Sequence, residues 1–404
     1  MIAYVGITEE NGQYLVNDKI GRMVDDLAVH FDHVHFVGSA TKKDDQTYYP
    51  NGQSILTYGF CANNISVTAV GISDGRTSPL QKLIIWLKRI PTYTKQIRQV
   101  NFVYIMMPGF SPFLAHLLCR RFGKPYSLYF GSDWQEVALF LSKWTGISRI
   151  FYGPYKWLSS WAEKTAVTHS QFTVVHGSQV LSKFKHLTVP VVETVPMVSI
   201  EPKHFYRRED TCQGKVINCL YVGILIPRKG IDYLLEALSL LVSKGYKINL
   251  QLVGSGDHDY QEQLHKLIQD RSIGEYVNFV GQIADLPTLL SYYRQADIFV
   301  LPSQGEGFPR VIYEAMSQGL PVITTSIGTI AHMLIHQEQA LLVDPRSSLA
   351  LCDGIERLIK ESKLRRTLIR AGYQFANERL SQGTSSEQFL ALMRKHYTML
   401  DSQQ

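Results

Sequence analysis

The sequence lacks the features that would place the chain in a membrane or crosslink it. No stretch of its 404 residues contains the roughly 18 to 20 uncharged apolar residues that a membrane-spanning helix needs. The segment from Met1 to Gly12 has no basic region followed by an apolar one, as a secretory signal would. The five cysteines are an odd number at spacings that are not typical of metal sites, which predicts reduced structural thiols. We therefore expect a cytoplasmic protein with neither a disulfide framework nor a zinc site.

The length and the charge distribution both indicate that the chain has two different halves. A chain of 404 residues that is 45% hydrophobic is long enough for two domains of roughly 200 residues each. Residues 1–50 contain 4 Lys and Arg against 8 Asp and Glu, a balance of −4. Residues 51–200 contain 15 against 5, or +10, and residues 201–404 contain 22 against 22, so the sum is the net +6. The positive excess lies in the N-terminal half.

Aromatic residues accompany that positive charge. All five tryptophans lie within residues 51–200, and basic residues are interleaved with them. This combination suits an anionic membrane surface, although an ordinary core surrounded by solvated lysines also explains it. Nucleic acid is not expected as a partner, because no nucleic-acid-binding module is visible and residues 201–404 are neutral. The residues concerned are Trp86, Trp134, Trp144, Trp157 and Trp161, with Lys82, Lys88, Arg89, Lys143, Arg149 and Lys156.

Short β-rich segments alternate with helical patterns through the N-terminal half. Strand, helix and strand in series predict a parallel sheet covered on both faces. Ligands of such sheets bind at the carboxyl ends of the strands. The predicted strands are Ile2–Val5, Val34–Val37, Ile65–Val70, Phe102–Ile105, Leu128–Phe130 and Phe172–Val175.

The most informative stretch of the C-terminal half is ADIFVLPSQGEGFPRVIYEAMSQGLPVITT, residues 296–325. The apolar run Ile298–Leu301 is too short for a helix and is predicted to be a buried strand. A loop, Ser303–Phe308, follows it. Pro309 suits the first position of a helix that continues over Arg310–Ser317, with Gly319 just past its end. The sequence therefore predicts a loop that feeds the amino terminus of a helix.

The chemistry of this loop points to a ligand that carries both phosphates and hydroxyls. Gly305 and Gly307 let the backbone approach a ligand closely, and the N–H groups of Gly307 and Phe308 at a helix start attract phosphate. Glu306 and Glu314 would be repelled by phosphate and should instead accept hydrogen bonds from hydroxyl groups. A nucleotide sugar has both kinds of group.

The two glutamates within PSQGEGFPRVIYEAMSQGLPVI resemble the signature of glycosyltransferase family 4, the retaining "group 1" glycosyltransferases. The resemblance implies an α/β fold of two Rossmann-like domains facing each other across a cleft, known as GT-B. It implies an acceptor-binding domain over residues 1–200 and a donor-binding domain over 201–380. The helical segment 381–404 would return to the N-terminal domain, and the non-periodic segment 196–215 would be the linker.

The same resemblance implies roles for particular residues of the C-terminal half. Glu314 would accept the ribose hydroxyls, Glu306 would contact the donor sugar, and Lys229 would stabilise the diphosphate. The family usually has an arginine directly after the glycine that matches Gly223, but Ile224 stands there; we hypothesise that Arg228 supplies the missing charge. Gly281 and Gln282 would border the nucleobase.

In the N-terminal half, the resemblance is looser. Asp133, in YSLYFGSDWQE, follows a predicted strand and is a candidate catalytic residue facing the cleft. The family often has a histidine where this chain has Phe130, which puts one catalytic contact in doubt. An aspartate after a strand is also a common helix cap, so a structural role for Asp133 stays open.

A metal is not expected. Asp257, His258 and Asp259 spell the DxD pattern that binds a divalent ion in a different glycosyltransferase fold. Here they follow Gly254 and Gly256 in a turn whose family counterpart is metal-free.

Taken together, these patterns predict a metal-independent retaining glycosyltransferase that uses a UDP-sugar or GDP-sugar as its donor substrate. The acceptor would be a saccharide or a lipid-linked saccharide of cell-surface polysaccharide biosynthesis, which would place the protein peripherally on the inner face of the cell membrane. Two alternatives stay open. One is a catalytically silent scaffold or binding subunit with the same fold, and the other is a nucleotide-sugar epimerase.

Overall fold

Two α/β units make up the chain. In the computed structural model, unit 1 comprises Met1–Met197 with Gly383–Gln404, and unit 2 comprises Val198–Gln382. The structure describes residues 1–10, 12–40, 58–71, 79–131, 134, 152–195, 200–283, 285–306 and 309–397.

Unit 1 is built on a mainly parallel sheet. Parallel neighbours follow the order β5-β3-β1-β6-β7-β8-β9, while β2 pairs antiparallel with β1 and with β4. The order reverses between β1 and β6, so the chain leaves these two neighbours toward opposite edges of the sheet. The strands are β1 (Ile2–Glu10), β2 (Gln13–Val16), β3 (Val34–Ala40), β4 (Tyr58–Gly59), β5 (Ile65–Val70), β6 (Val103–Met107), β7 (Tyr126–Phe130), β8 (Thr173–Val175) and β9 (Val191–Glu193).

The helices of unit 1 come from both ends of the chain. Phe389 of the last helix packs in the core, with its ring centroid 4.2 Å from that of Tyr104 and 5.6 Å from that of Phe172. The helix is capped at its start, where the Thr384 side chain accepts from the Glu387 N–H, and Ser386 donates to Asp26 at 3.1 Å. The helices are α1 (Asp18–Ala28), α2 (Pro79–Gln99), α3 (Phe110–Arg121), α4 (Tyr152–Thr168), α5 (Ser178–Phe184) and α13 (Ser385–His396).

Unit 2 contains a fully parallel sheet in the order β12-β11-β10-β13-β14-β15. The strands are near-continuous apolar runs, as expected when helices cover both faces of a parallel sheet. The order reverses between β10 and β13. The strands are β10 (Ile217–Val222), β11 (Ile248–Val253), β12 (Val277–Gly281), β13 (Ile298–Leu301), β14 (Val322–Thr325) and β15 (Leu341–Val343).

The helices of unit 2 bury apolar stripes against this sheet. In the first of them, Leu234, Leu238 and Leu241 lie on one face at the spacing of a helix and are buried. The helices are α6 (Ile231–Ser243), α7 (His258–Asp270), α8 (Leu286–Gln295), α9 (Arg310–Ser317), α10 (Gly328–Met333), α11 (Ser348–Lys360) and α12 (Ser362–Leu380). The parallel α/β architecture predicted from the sequence is thus confirmed in both units.

Among the helices within the described ranges, none combines the length and the apolar character required to cross a bilayer.

Candidate active site

The candidate site lies at the carboxyl ends of β10 and β13. These neighbours pair in parallel at the point where the strand order of unit 2 reverses. Parallel α/β sheets bind ligands at such a switch point, because the loops that leave the two strands diverge and open a crevice. The loop after β10 (223–230) and the loop after β13 (302–306) therefore meet there.

Two glycines allow the loop after β10 to lie close to its two neighbours, the loop after β13 and the loop after β11. Gly230 has φ of +65°, and a Cβ there would lie 2.3 Å from the carbonyl oxygen of Pro302. A Cβ on Gly254, where φ is +136°, would lie 1.9 Å from the carbonyl oxygen of Gly223. Any side chain at either position would push the loops apart.

Hydrogen bonds join the loops directly. The Gln304 N–H donates to the Arg228 carbonyl at 2.8 Å, and the Gln304 side chain donates to the Pro227 carbonyl at 3.3 Å. The Arg228 guanidinium donates to the carbonyl of Gly305. The loop after β10 also has regular structure of its own. Pro227–Lys229 forms a 3₁₀ turn because proline suits its first position and Gly230 ends it in a left-handed conformation.

Glu306 and Lys229 form a buried ion pair. Their side chains are only 7% and 12% exposed. The Lys229 ammonium donates to Oε1 of Glu306, and the Ser303 hydroxyl donates to the same oxygen at 2.6 Å. Nη1 of Arg228 lies 3.8 Å from Oε2 of Glu306. The sequence assigned the carboxylate and the ammonium to different parts of a ligand, whereas the structure joins them, since buried opposite charges are costly when left unpaired.

Glu314 is also buried, but its described partner is a neutral hydroxyl. It lies on α9, is 4% exposed, and accepts a hydrogen bond at Oε2 from the Tyr293 hydroxyl at 2.9 Å. Burial raises the pKa of the Tyr293 hydroxyl, and the negative charge of Glu314 adds to the effect. Tyr293 therefore stays protonated and holds the orientation of the carboxylate.

The start of α9 differs from the prediction. Pro309 has φ of −80° and ψ of 100°, an extended conformation, so that the helix begins at Arg310. Gly307 and Phe308, the predicted phosphate-binding amides, lie outside the described residues.

Asp133, the candidate in unit 1, also lies outside the described residues. The next residue, Trp134, is described. It is buried, and its N–H donates to Oε1 of Glu163 at 3.2 Å. Glu163 is itself buried on α4 and pairs with Lys183 through Oε2. This buried pair fixes the backbone next to the candidate.

The remaining predicted donor-site residues lie at the same edge of the sheet in unit 2. Gly223 directly follows β10, and Gly281 ends β12. The carbonyl of Gly281 accepts from the Gly254 N–H at 2.8 Å, which links β12 to the loop after β11. Gln282 follows and is exposed.

The first aspartate of the DxD pattern caps a helix. Asp257 is the amino-terminal cap of α7, where its side chain accepts from the Tyr260 N–H at 2.8 Å. The possible ligand atoms of His258, Asp259 and Glu262 lie within 4.8 Å of one another on the exposed first turns of that helix. His258 and Glu262 are paired at 3.3 Å.

Three site residues were missed by the sequence interpretation. Ser303 and Tyr293 hold the two glutamates, as described above. Tyr221, buried on β10, donates to the carbonyl of Ile224 at 2.9 Å. Its pKa is raised by burial and, to a smaller extent, by the charge of Glu306. A serine three residues before a glutamate is a weak local signal, and the two tyrosines resemble ordinary core residues.

Some of the basic and aromatic residues singled out in unit 1 are exposed, and others are buried. Trp157 and Trp161 on α4 are 69% and 47% exposed, whereas Trp134 is 4% exposed. Lys88 and Lys156 are exposed, but Arg89 is 3% exposed. The expectation that Arg89 faces an anionic surface is therefore wrong, because α2 turns its side chain inward. Trp144, Lys143 and Arg149 lie outside the described residues.

Comparisons with known proteins show which families and folds this chain resembles. A family model described as "Glycosyl transferases group 1" matches residues 203–375. An uncharacterized glycosyltransferase of Haemophilus influenzae is 35% identical over 146 residues, which are 36% of this chain and 40% of the relative. The capsular polysaccharide biosynthesis glycosyltransferase CapM of Staphylococcus aureus is 29% identical over 150 residues, 37% of this chain and 38% of CapM. The chain thus spans less than half the length of these curated relatives.

Solved structures resemble the fold over almost the whole chain. Sucrose-phosphate synthase from Thermosynechococcus elongatus has a TM-score of 0.70 at 20% identity, covering 98% of this chain and 99% of that one. Anabaena HepE, solved in complex with UDP and glucose, has a TM-score of 0.64 at 15% identity, with the same coverage of 98% and 99%. At these identities the likeness shows the fold alone, which is GT-B.

Proposed function

Because residues 203–375 belong to the glycosyl transferases group 1 family, we propose that this chain is a retaining glycosyltransferase. It moves a sugar from a nucleotide diphosphate-sugar, bound by unit 2, to a saccharide acceptor bound by unit 1. The donor is a UDP-sugar or GDP-sugar. The complex of HepE with UDP and glucose supports this choice of donor class.

The observation that carries the proposal is the meeting of Lys229, Arg228 and Glu306 at the switch point of unit 2, with Glu314 buried on the helix that follows the same loop. In the described part of the chain, Oε2 of Glu306 accepts no hydrogen bond, and its ion-pair partner is the Arg228 guanidinium at 3.8 Å. That oxygen can accept a hydroxyl of the donor sugar while Oε1 keeps its bonds to Lys229 and Ser303. Glu314, held by Tyr293, accepts the ribose hydroxyls.

Positive charge for the diphosphate comes from side chains instead of a metal ion. The Lys229 ammonium has three N–H donors, and one of them is used by Glu306. The others can reach a phosphate oxygen beside the 3₁₀ turn that also carries Arg228. As the sugar–phosphate bond breaks, negative charge grows on the leaving diphosphate, and a preorganised cation stabilises it.

The reaction retains configuration by front-face displacement. The acceptor hydroxyl attacks the anomeric carbon on the face from which the diphosphate leaves. An oxygen of the departing diphosphate takes the proton of that hydroxyl, so the step needs no separate side-chain base. Asp133 remains the candidate for orienting the sugars from unit 1.

A turnover assay tests this function. Purified protein is incubated with UDP-, GDP- and ADP-sugars, with and without saccharide acceptors and with and without EDTA, and the products are analysed by ¹H NMR. We expect acceptor-dependent release of one nucleoside diphosphate, an α-linked product from an α-linked donor, and no loss of rate in EDTA. An inverted product would exclude retention. Isomerisation of the donor without acceptor would identify an epimerase, and no turnover of any donor would favour a silent scaffold.

The acceptor is a lipid-linked saccharide at an anionic membrane surface. Exposed Trp157, Leu158 and Trp161 lie on α4, next to exposed Lys156 and Lys164. The sole carboxylate of that helix is the buried Glu163. Exposed indoles flanked by lysines, on a helix with no exposed carboxylate, suit the headgroup region of an anionic bilayer. The name of CapM, which refers to capsular polysaccharide biosynthesis, supports an acceptor of this kind.

Vesicle sedimentation tests the membrane step. We expect binding to vesicles rich in phosphatidylglycerol and little binding to phosphatidylcholine alone, with a large loss in Trp157→Ala/Trp161→Ala. Leu349→Ala is the matched control, because Leu349 is an exposed apolar residue (67%) on α11 of unit 2. Equal binding by the double variant and the control would show that α4 does not contact the lipid.

A further inference from the structure

Unit 1 contains a buried guanidinium that the proposed mechanism does not use. Arg89 lies on α2, and its side chain is almost fully buried, at 3% exposure. Its Nη1 donates to the Ser111 hydroxyl, and its Nη2 donates to the carbonyl of Gly71 at 3.4 Å. Within the described residues, Nε has no hydrogen-bond partner. An arginine has five N–H donors, so this side chain has more donors than described acceptors.

The guanidinium points at the amino terminus of a helix. Ser111 is the second residue of α3, a helix of 12 residues. The cap residue, Gly109, has φ of +147° and no side chain, so it cannot cap the free N–H groups. A helix start carries a partial positive charge on those N–H groups. The Ser111 oxygen accepts from Arg89, which leaves its own O–H able to donate to a further group.

The Arg89 guanidinium and the positive amino terminus of α3 therefore lie next to each other in the interior of unit 1. Arginine keeps its charge in proteins, and among the ion pairs of the described ranges none involves Arg89. A buried charge without a counter-charge is strongly unfavourable, and the helix terminus adds repulsion. An anion bound between them would satisfy both features.

The position of this cluster fits a ligand site. Gly71 directly follows β5, and Ser111 lies just after β6. Both are at the carboxyl edge of the sheet, on either side of β1, where the strand order of unit 1 reverses. This edge is where parallel α/β sheets bind ligands. The Phe110 ring at the start of α3 lies 5.0 Å from the Trp134 ring, which connects the cluster to the segment after β7.

We propose that Arg89, the Ser111 hydroxyl and the amino terminus of α3 form an oxyanion subsite that binds a phosphate or pyrophosphate group of the acceptor. The planar guanidinium can donate two parallel N–H bonds to one phosphate, a geometry that a lysine ammonium cannot reproduce. The assignment to the acceptor rests on the proposed function, whereas the anion site itself does not.

Calorimetric titration with inorganic pyrophosphate tests the subsite. All proteins are full-length and carry Lys229→Ala, which removes the cation expected to bind diphosphate in unit 2. We expect Arg89→Met to weaken pyrophosphate binding by at least about tenfold and Arg89→Lys by a smaller factor, because the ammonium keeps the charge but loses the fork. Lys88→Met is the matched control: it removes one positive charge from the neighbouring, exposed position and should leave the affinity unchanged. Equal affinities in Arg89→Met and Lys88→Met would overturn the proposal.

Thermal unfolding tests whether Arg89 has a purely structural role instead. If the guanidinium lacks an internal counter-charge, Arg89→Met should melt no lower than Lys88→Met in phosphate-free buffer, and added pyrophosphate should raise the melting temperature of the control alone. If a carboxylate elsewhere in the chain, such as Asp74, neutralises Arg89, the variant would melt much lower in both buffers. That result would contradict the subsite.

A titration with nucleotide sugars separates this proposal from the proposed function. With Lys229 intact, Arg89→Met should bind the donor as the wild type does. Donor binding without any Arg89-dependent pyrophosphate binding would refute the subsite and leave the proposed function standing. Arg89-dependent pyrophosphate binding in a protein that binds no nucleotide sugar would support an anion site and refute the proposed function.

Discussion

Replacing Glu306 by glutamine removes the carboxylate on which the Lys229 ammonium and the Arg228 guanidinium converge. Both Glu306 and Lys229 are nearly buried, at 7% and 12% side-chain exposure. Breaking such a pair from one side costs about 3 to 5 kcal/mol, because the remaining charge stays buried without a partner. We expect Glu306→Gln to destabilise unit 2 by an amount in that range.

Removing Lys229 instead of Glu306 should lower the free energy of unfolding by a smaller amount. In Lys229→Met, the Glu306 carboxylate keeps Arg228 at 3.8 Å, where two unit charges attract by about 4 kcal/mol at an effective dielectric constant near 20, before the cost of desolvation. We therefore expect a loss of about 2 kcal/mol. The double variant leaves no unpaired member of the pair, so the coupling energy between the two sites should be about 2 to 3 kcal/mol.

Hydrogen exchange of peptides that contain β13, combined with urea unfolding followed by circular dichroism, measures these energies. All five tryptophans lie in unit 1, so the tryptophan fluorescence transition serves as an internal reference and should not move. The surface pair Arg271–Glu236, 46% and 30% exposed, is the matched control, with an expected coupling below about 1 kcal/mol. A coupling between Lys229 and Glu306 as small as that of the control would refute the reasoning.

Three further predictions concern other residues. Tyr293→Phe removes the hydrogen bond to Glu314 and should lower the unfolding free energy by about 1.5 to 3 kcal/mol and weaken donor binding by calorimetry; unchanged affinity would contradict its orienting role. Burial lowers the pKa of His116 to about 4, so between pH 6.5 and 4 only the unfolded chain takes up this proton, and unit 1 should lose up to about 3 kcal/mol as the pH falls. Urea unfolding followed by tryptophan fluorescence should show a smaller loss in His116→Gln, and an equal loss would exclude His116 as the source. Cys61 is exposed, whereas burial raises the pKa of Cys212 to about 11; a thiol reagent should label Cys61 much faster, and equal rates would contradict this.

Local sequence signals predicted the scaffold of the site. The apolar run Ile298–Leu301 and the helix formers up to Gly319 are adjacent in the chain, so their strand and helix could be read directly. The 3₁₀ turn Pro227–Lys229 was not predicted. Short turns depend on hydrogen bonds to other loops, here from Gln304 to Arg228.

Pairings between distant residues were not predictable. Lys229 and Glu306 are 77 residues apart, and nothing in the local pattern of either residue indicates the other. Tyr293 resembles a core residue until α8 and α9 are packed together. Arg89 follows Lys88 in a basic segment, and most arginines are exposed, so only the helix geometry reveals that one of these two neighbours points inward.

The central claim is that the carboxylate of Glu314 in unit 2 binds the sugar hydroxyls of a nucleotide-sugar donor. Calorimetric titration of UDP-, GDP- and ADP-sugars into wild type, Glu314→Gln and the exposed control Glu338→Gln tests it most directly. The account predicts micromolar to millimolar binding of one donor class by wild type and control, and at least a tenfold loss in Glu314→Gln, about 1.4 kcal/mol or more. Equal binding by all three proteins, or no donor binding by wild type, would contradict it.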